Sequence, residues 1–453
     1  MKIVVIGCGK IGYALVKSLS EEGHEIVVID QDVEAIEDIV SVSDVLGIHG
    51  HGANYDIQVE ADVKNANLTI AVTNSDELNI VCCMMAKKMG SRHTIARVRN
   101  TEYFKYLQYM KEQLGLSLML NPEAQTAIEI SRILRFPSAL KVEAFAKGGV
   151  DLIELKIKND SPLIGLSLAA IYPKFKVKIL VCTIKRDDEV FIPDGNVVLQ
   201  ENDAIYLTAS KDQMQLFLEA IGSKKKQTRK VMIIGGGRIA YYLAKELQNS
   251  NVQITIIEQD LAKCESLSEN LPFVTVIHGD GTDHELLDEE GLLTTDACVA
   301  LTGFDEENVV ISLYAESKNV HKVITKVSHI RLDGLLDSIG INCVVSSNVV
   351  SVNHITRYVR AMVNSKRSNS IVTLYNLVNN RVEAIEFSVT EAADYLDTPL
   401  SELKLKSNLL IASIIRDRKL IIPEGKSTIQ LNDKVIVVTT NKYMKHLEEI
   451  LEK

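Results

Sequence analysis

The chain has 453 residues, 46% of them hydrophobic and 24% charged, with a formal net charge of −10. That length suggests roughly three or four domains, and the composition is that of packed globular structure, which excludes wholesale disorder. The acidic balance argues against nucleic-acid binding, which shows as a clustered basic excess.

No apolar stretch approaches the roughly 18–20 residues that cross a bilayer. The opening MKIVVIG reads as a buried strand, not a signal peptide. Seven cysteines without a CxxC pair read as buried thiols of a reducing compartment. The expectation is a cytoplasmic protein that reaches a membrane only by docking onto another protein.

In chain order, short β-branched runs near residues 2–7, 25–30, 44–48, 68–72, 94–98 and 116–120 predict strands. They alternate with helical patterns beginning near residues 10, 32, 54, 76 and 101, which predicts a parallel sheet with helices on both faces. NPEAQTAIEISRILRFP then gives an Asn cap, a Pro at the first helical position and one apolar face. Two readings stay open for that helix: a crossover or dimerisation arm leading away from the sheet, or a core helix of the same lobe.

Residues 137–222 are rich in Val and Ile and punctuated by IPDG, as expected of a small α/β unit dominated by antiparallel strands. The basic run KKKQTRK at 224–230 reads as solvated linker, placed at 223–229. The whole series then recurs about 229 positions later, which makes it an internal repeat. IGCGKIG answers to IGGGRIA, VVID to TIIE, AVTNSDELN to ALTGFDEEN and ARV to TKV. The strand-rich tails match as well, IPDG with IPEG. The predicted organisation is therefore an N-lobe at 1–136, a C-lobe at 137–222, a second N-lobe at 230–366 and a second C-lobe at 367–453.

Each N-lobe opens with a glycine loop between a strand and a helix. Gly7 permits the tight turn, Gly9 lets backbone approach a pyrophosphate, and Gly12 lets the helix pack close. Helix N–H groups at Lys10 and Ile11 then face the anion. Asp30 closes the next strand, where an acid accepts hydrogen bonds from a ribose diol. The second copy keeps Gly235, Gly237, Arg238, Ile239 and Glu258, with Ala240 in the third glycine place. Gln31 and Gln259 follow the acids and no arginine adjoins them, which favours NAD(H), ADP or ATP over NADP(H).

Further polar positions fall at the carboxyl ends of strands, the ligand position in open α/β sheets. They are Gly50 and Gly52, then Thr73, Asn74, Asp76 and Asn79, then Arg97. Gly279, Thr302, Asn308 and Lys326 stand in corresponding places. His49 recurs as His278, but Asp280 replaces His51, so no metal site is expected. A dehydrogenase needs a placed acid or base beside its cofactor. Tyr13 with Lys17, and Tyr241 with Lys245, sit on the helix after each glycine loop, where packing explains them better. No GxxxxGK[ST] loop is present. The fingerprints read as sensors without catalytic residues; the alternatives are an NAD-dependent oxidoreductase with a duplicated fold, or an interaction protein whose pockets take no ligand.

A lobe carrying GCGKIG, Asp30, TNSDELN and ARV, followed by NPE…RILRFP and IPDG, resembles the RCK (regulator of K⁺ conductance) unit. Two such units in tandem resemble the cytoplasmic regulatory subunits of Trk-type potassium uptake, and the likeness spans essentially the whole chain. It implies two tandem Rossmann-like RCK N lobes, each followed by a small α/β RCK C lobe. It also implies NAD(H), with ATP or ADP in the same type of site, and a homo-oligomer, a tetramer. The implied partner is a Trk-type potassium-transporting membrane subunit; in some relatives the C-lobe takes a small ligand such as a cyclic dinucleotide. Carried over by motif, the contacts fall at Gly7, Gly9, Gly12, Asp30, Thr73, Asn79 and Arg97, and at Gly235, Gly237, Glu258, Thr302, Asn308 and Lys326. Ala240 and Lys326 depart from the pattern. Lysine lacks the bidentate fork of arginine, so the second site is expected to differ in affinity or ligand.

Overall fold

A computed structural model describes residues 1–136, 138–145, 150–222, 228–328, 335–336, 339–364, 371–378, 381–441, 444 and 446–452. Most of the linker and Pro137 lie outside them. The first six strands are β1 (Lys2–Ile6), β2 (Glu25–Asp30), β3 (Leu46–His49), β4 (Leu68–Ala71), β5 (His93–Arg97) and β6 (Leu118–Leu120). They alternate with α1 (Lys10–Glu21), α2 (Val33–Val42), α3 (Tyr55–Glu60), α4 (Asp76–Met89) and α5 (Thr101–Met110), followed by α6 (Pro122–Arg135). The sheet is parallel in the order β3-β2-β1-β4-β5-β6. Strands buried on both faces read as continuous apolar runs, and β1 with Ile3, Val4, Val5 and Ile6 all buried is such a strand. On one face Val4, Ile6, Val27 and Ile29 share a core with Cys82, Cys83 and Ala86 of α4. Buried Ile11, Leu15, Val16 and Leu19 give α1 its inner side.

Five strands follow: β7 (Lys141–Phe145), β8 (Val150–Lys156), β9 (Leu180–Arg186), β10 (Glu189–Phe191) and β11 (Ala204–Ala209), with α7 (Leu168–Phe175) and α8 (Lys211–Ala220). Their sheet is antiparallel, in the order β10-β9-β11-β8-β7.

The parallel sheet then recurs as β12 (Lys230–Ile234), β13 (Gln253–Glu258), β14 (Thr275–His278), β15 (Ala297–Ala300), β16 (Lys322–Lys326) and β17 (Val344–Val345), in the same spatial order. Its helices are α9 (Arg238–Leu247), α10 (Leu261–Asn270), α11 (His284–Glu289) and α12 (Asp305–Ser317), and α13 (Ser347–Asn364) follows the sheet. The last sheet comprises β18 (Ile371–Leu377), β19 (Val382–Ser388), β20 (Leu409–Arg416), β21 (Lys419–Ile421) and β22 (Lys434–Thr439), with the topology of the first antiparallel sheet. Where the first has α8, the second has a 3-10 turn at Leu447–Ile450 among its described residues.

The chain divides into two compact units. One holds Met1–Ala127 together with Ser346–Tyr358; the other holds Ile128–Val345 and Val359–Lys453. The first part of α13 therefore belongs with the first parallel sheet, and Tyr358 is hydrogen-bonded to Ser117 there. The second half of α6 belongs with the other unit. In the second unit the two antiparallel sheets share one core. Phe145, Leu152, Cys182 and Tyr206 meet Tyr375, Leu377, Val382 and Val438, and Phe145 packs edge-on to Tyr375 with ring centres 4.7 Å apart.

Each antiparallel sheet carries the same buried ion pair. Asp203 is fully buried; Arg186 reaches it through Nε and Nη2, each at 2.8 Å, and Nη2 also donates to the Val198 carbonyl. Gln200 N–H donates to the same carboxylate at 2.9 Å. Arg416, Asp433, Thr428 O and Gln430 repeat the arrangement. Removing one partner leaves a buried charge uncompensated, which costs about 3–5 kcal/mol. Arg416→Ala, which strands the buried Asp433 carboxylate, is accordingly expected to lower stability by about that amount in urea unfolding, and Arg416→Lys to recover little of it, since an ammonium cannot reproduce the guanidinium fork.

Burial, with Arg357 nearby, pushes the His354 imidazole on α13 down to about 4. Its folded form is thus neutral where the unfolded form takes up a proton, so stability falls as pH drops from about 6.5 toward 4, by at most about 3 kcal/mol. His354→Gln should flatten that part of the stability–pH curve; an unchanged acid limb in thermal melts would remove His354 as its source.

Candidate functional site: the paired glycine loops

The order of each parallel sheet reverses between its first and fourth strands, and ligands of such sheets lie outside the carboxyl ends there. In the first lobe Gly7 takes φ +101°, and a Cβ on it would stand 2.9 Å from Thr73 N. Only glycine fits that turn so close to the end of β4. Gly9 caps α1 without any side-chain hydrogen bond, and a Cβ there would meet nothing within 4 Å. Lys10 is exposed and the Ile11 side chain is buried. Gly237, Arg238 and Ile239 repeat this at α9.

The acids fold back onto the loops. Asp30 Oδ2 accepts the Cys8 N–H at 2.5 Å and Oδ1 accepts the Asp32 N–H at 2.9 Å. Glu258 does the same with Gly236 N–H at 2.7 Å and Asp260 N–H at 2.9 Å. Gly236 is tightly enclosed: a Cβ there would stand 2.6 Å from Leu267 Cδ1 and 3.1 Å from Cβ and Cγ of Glu258. The first lobe has Cys8 in that place. Burial, then Asp30, pushes the Cys8 thiol up to about 11, so it stays protonated.

Thr73 and Arg97 meet at the ends of β4 and β5. Arg97 Nη1 donates to Thr73 O at 3.0 Å, and Lys326 Nζ donates to Thr302 O at 2.7 Å. Asn79 is fully buried. Its Oδ1 accepts Thr73 N–H and Oγ1–H, and its Nδ2 donates to the carbonyls of Thr73 and Arg97. Asn308 makes the matching bonds to Thr302 and Lys326. These two amides staple the strand ends and so set where the threonine and the cation stand. Asn74 is exposed, while Gly50 and Gly279 are half-buried, each packed closely against the next helix. Asp76 accepts the N–H groups of Arg99 and Asn100.

One feature escapes the sequence reading. Lys263 Nζ lies 4.0 Å from Glu258 Oε1 and 3.6 Å from Asp260, a cation where the first lobe has Ala35. Its signal was the swap itself between aligned copies. The third-glycine place also differs: a Cβ on Gly12 would fall 1.9 Å from Gly7 O, yet Ala240 is accommodated, fully buried. Lys245 lies over the Tyr241 ring, 4.6 Å from its centre, as helix-surface packing predicts for that pair.

Two family profiles match: the TrkA-N domain at residues 3–122 and 231–347, and the TrkA-C domain at residues 152–222 and 384–452. The chain belongs to the TrkA family. It is 34% identical over 445 residues to the Trk system potassium uptake protein TrkA homolog 1 of Methanosarcina mazei, covering 96% of this chain and 97% of the relative. It is 30% identical over 450 residues to the TrkA homolog of Archaeoglobus fulgidus, covering 99% and 100%. Among solved structures it is similar to the GsuK RCK domain, with a TM-score of 0.61 at 17% identity over 97% of this chain and 92% of that one. The GsuK channel bound to NAD gives a TM-score of 0.61 at 17% identity over 97% and 77%. Likeness at that identity establishes the fold: tandem Rossmann-like lobes, each followed by an antiparallel C-lobe.

The close approach of Leu267 to Gly236 predicts a compensating double substitution. Gly236→Cys should cost about 1–3 kcal/mol by overpacking, and adding Leu267→Val should return part of it. Additive losses in urea unfolding of the single and double variants would show that the two positions are not coupled.

Proposed function

We propose that this chain is a nucleotide-sensing regulatory subunit that adjusts potassium uptake through a membrane transporter. The observation that carries the reading is the acid-to-glycine-loop clamp, present in both N-lobes of a TrkA-family chain. The lobes suit NAD(H), with ADP or ATP in the same type of site. The N-terminus of α1 at Lys10 and Ile11, beside the open space at Gly9, fits a diphosphate. Arg238, Ile239 and Gly237 offer the same in the second lobe.

In this reading Gly7, Gly12, Gly50, Gly235 and Gly279 shape the crevices. Asp30 and Glu258 accept the ribose hydroxyls. Thr73 with Asn74, and Thr302, line the fourth-strand side. Asn79 and Asn308 hold that side in place, and Arg97 and Lys326 bring positive charge. The sites serve regulation, not turnover. The C-lobes offer a place for a small ligand such as a cyclic dinucleotide. The assembly is a homotetramer docked from the cytoplasmic side on a Trk-type potassium-transporting subunit. Among the described residues no helix is long and apolar enough to cross a membrane, which agrees with a peripheral role. Regulation requires that the nucleotide bind two states of the assembly with different affinity, because equal affinity shifts nothing.

NADH, ADP or ATP should raise the melting temperature of the purified chain, since ligand at about 100 times Kd adds about 2.7 kcal/mol. Asp30→Ala should blunt the rise, and Asp30→Ala with Glu258→Ala should abolish it. No rise with any of the three would refute nucleotide sensing, and steady NADH oxidation with a small substrate would make the chain an oxidoreductase. Co-purification with the membrane transporter, followed by K⁺ flux with and without nucleotide, tests the partner.

A further inference from the structure

The ribose-side acid of each lobe is framed by backbone hydrogen bonds. Gly50 N–H donates to Asp30 O at 2.8 Å, and Gly279 N–H to Glu258 O at 3.0 Å. The carboxylates take the loop N–H on one oxygen and the N–H two residues ahead on the other. A histidine side chain joins this frame in both lobes. His49 Nε2 lies 3.1 Å from Gln31 O, and His278 Nε2 lies 3.1 Å from Gln259 O. A carbonyl only accepts, so Nε2 carries the proton and donates.

The Gln31 carbonyl and the Asp32 N–H belong to one planar peptide, as do the Gln259 carbonyl and the Asp260 N–H. Pinning the oxygen of that plane fixes the direction of its N–H, and that N–H is the donor to Asp30 Oδ1 or Glu258 Oε1. The chain of contact therefore runs from imidazole to peptide plane to carboxylate. Strand register sets it up, with Asp30 opposite His49 and Glu258 opposite His278. The surroundings differ between the copies, Cys8 and Asp30 against Gly236 and Glu258. The histidine and its bond do not. Both rings are exposed, so core packing does not account for them.

We infer that His49 and His278 are positioning residues: by holding the peptide after each acid, they aim its carboxylate at the two ribose hydroxyls of the bound nucleotide. The inference rests on the nucleotide reading above. Its signature is loss of discrimination for the intact diol, beyond any general loss of affinity.

The test compares ADP with 2′-deoxy-ADP by calorimetric titration of the full-length chain. Wild type should prefer ADP by about tenfold, the worth of one hydrogen bond to a charged group. In His49→Ala/His278→Ala the preference should fall to about twofold or less, while the paired Gln variant, whose Nε2 can donate from the same reach, should restore it. If the Ala pair does not fold, the Leu pair keeps the bulk without the donor and carries the same expectation. A wild-type preference that survives intact in the Ala or Leu pair overturns the inference alone. Wild type that binds neither nucleotide overturns the nucleotide reading, and the inference with it.

Discussion

A carboxylate that closes on the backbone of a glycine loop organises both halves of this chain. Asp30 and Glu258 end the second strand of their sheets, yet each reaches the turn after the first strand and takes its N–H. That bond joins two neighbouring strands at their carboxyl ends, beside the point where the sheet order reverses. It also holds an acid beside the first-turn donors of a helix whose N-cap is a glycine, with no side-chain hydrogen bond of its own. Negative charge near those donors is favourable, and the acid supplies it from the side, leaving the space over Gly9 and Gly237 open. Stapling by Asn79 and Asn308 then fixes the opposite wall.

Much of this was legible in the residues. The six strands of the first lobe start and end within two residues of their expected places, because fully buried parallel strands announce themselves as runs such as IVVI and IVVID. Glycine spacing, acid and repeat offset marked both glycine loops and the acids that fold onto them. What the sequence could not show depends on contacts made across the fold. TNSDELN reads equally as a helix start or a ligand contact, and only burial shows that Asn79 spends its amide on backbone. The crowding of Gly236 by Leu267 and Glu258 shows only in the distances between them. Ownership of α13 is the largest gap: its amphipathic pattern says that one face is buried but not which sheet receives it.

The two crevices share a plan and differ in detail. The first has a guanidinium at Arg97, a short acid and a glycine at the third loop place. The second has an ammonium at Lys326, a long acid with Lys263 beside it, and a methyl at Ala240. A compact, strongly hydrated ammonium gives up directional recognition that a planar fork keeps.

The common core of the two antiparallel sheets has a kinetic meaning. Phe145, Tyr206, Tyr375 and Val438 lie in one cluster although they come from opposite halves of the chain. Were the halves separate polypeptides, that union would be a second-order encounter, dissolved by dilution. Because one covalent strand carries both, each finds the other at a fixed effective molarity. Their pairing is a property of every single molecule, whatever the abundance of the protein.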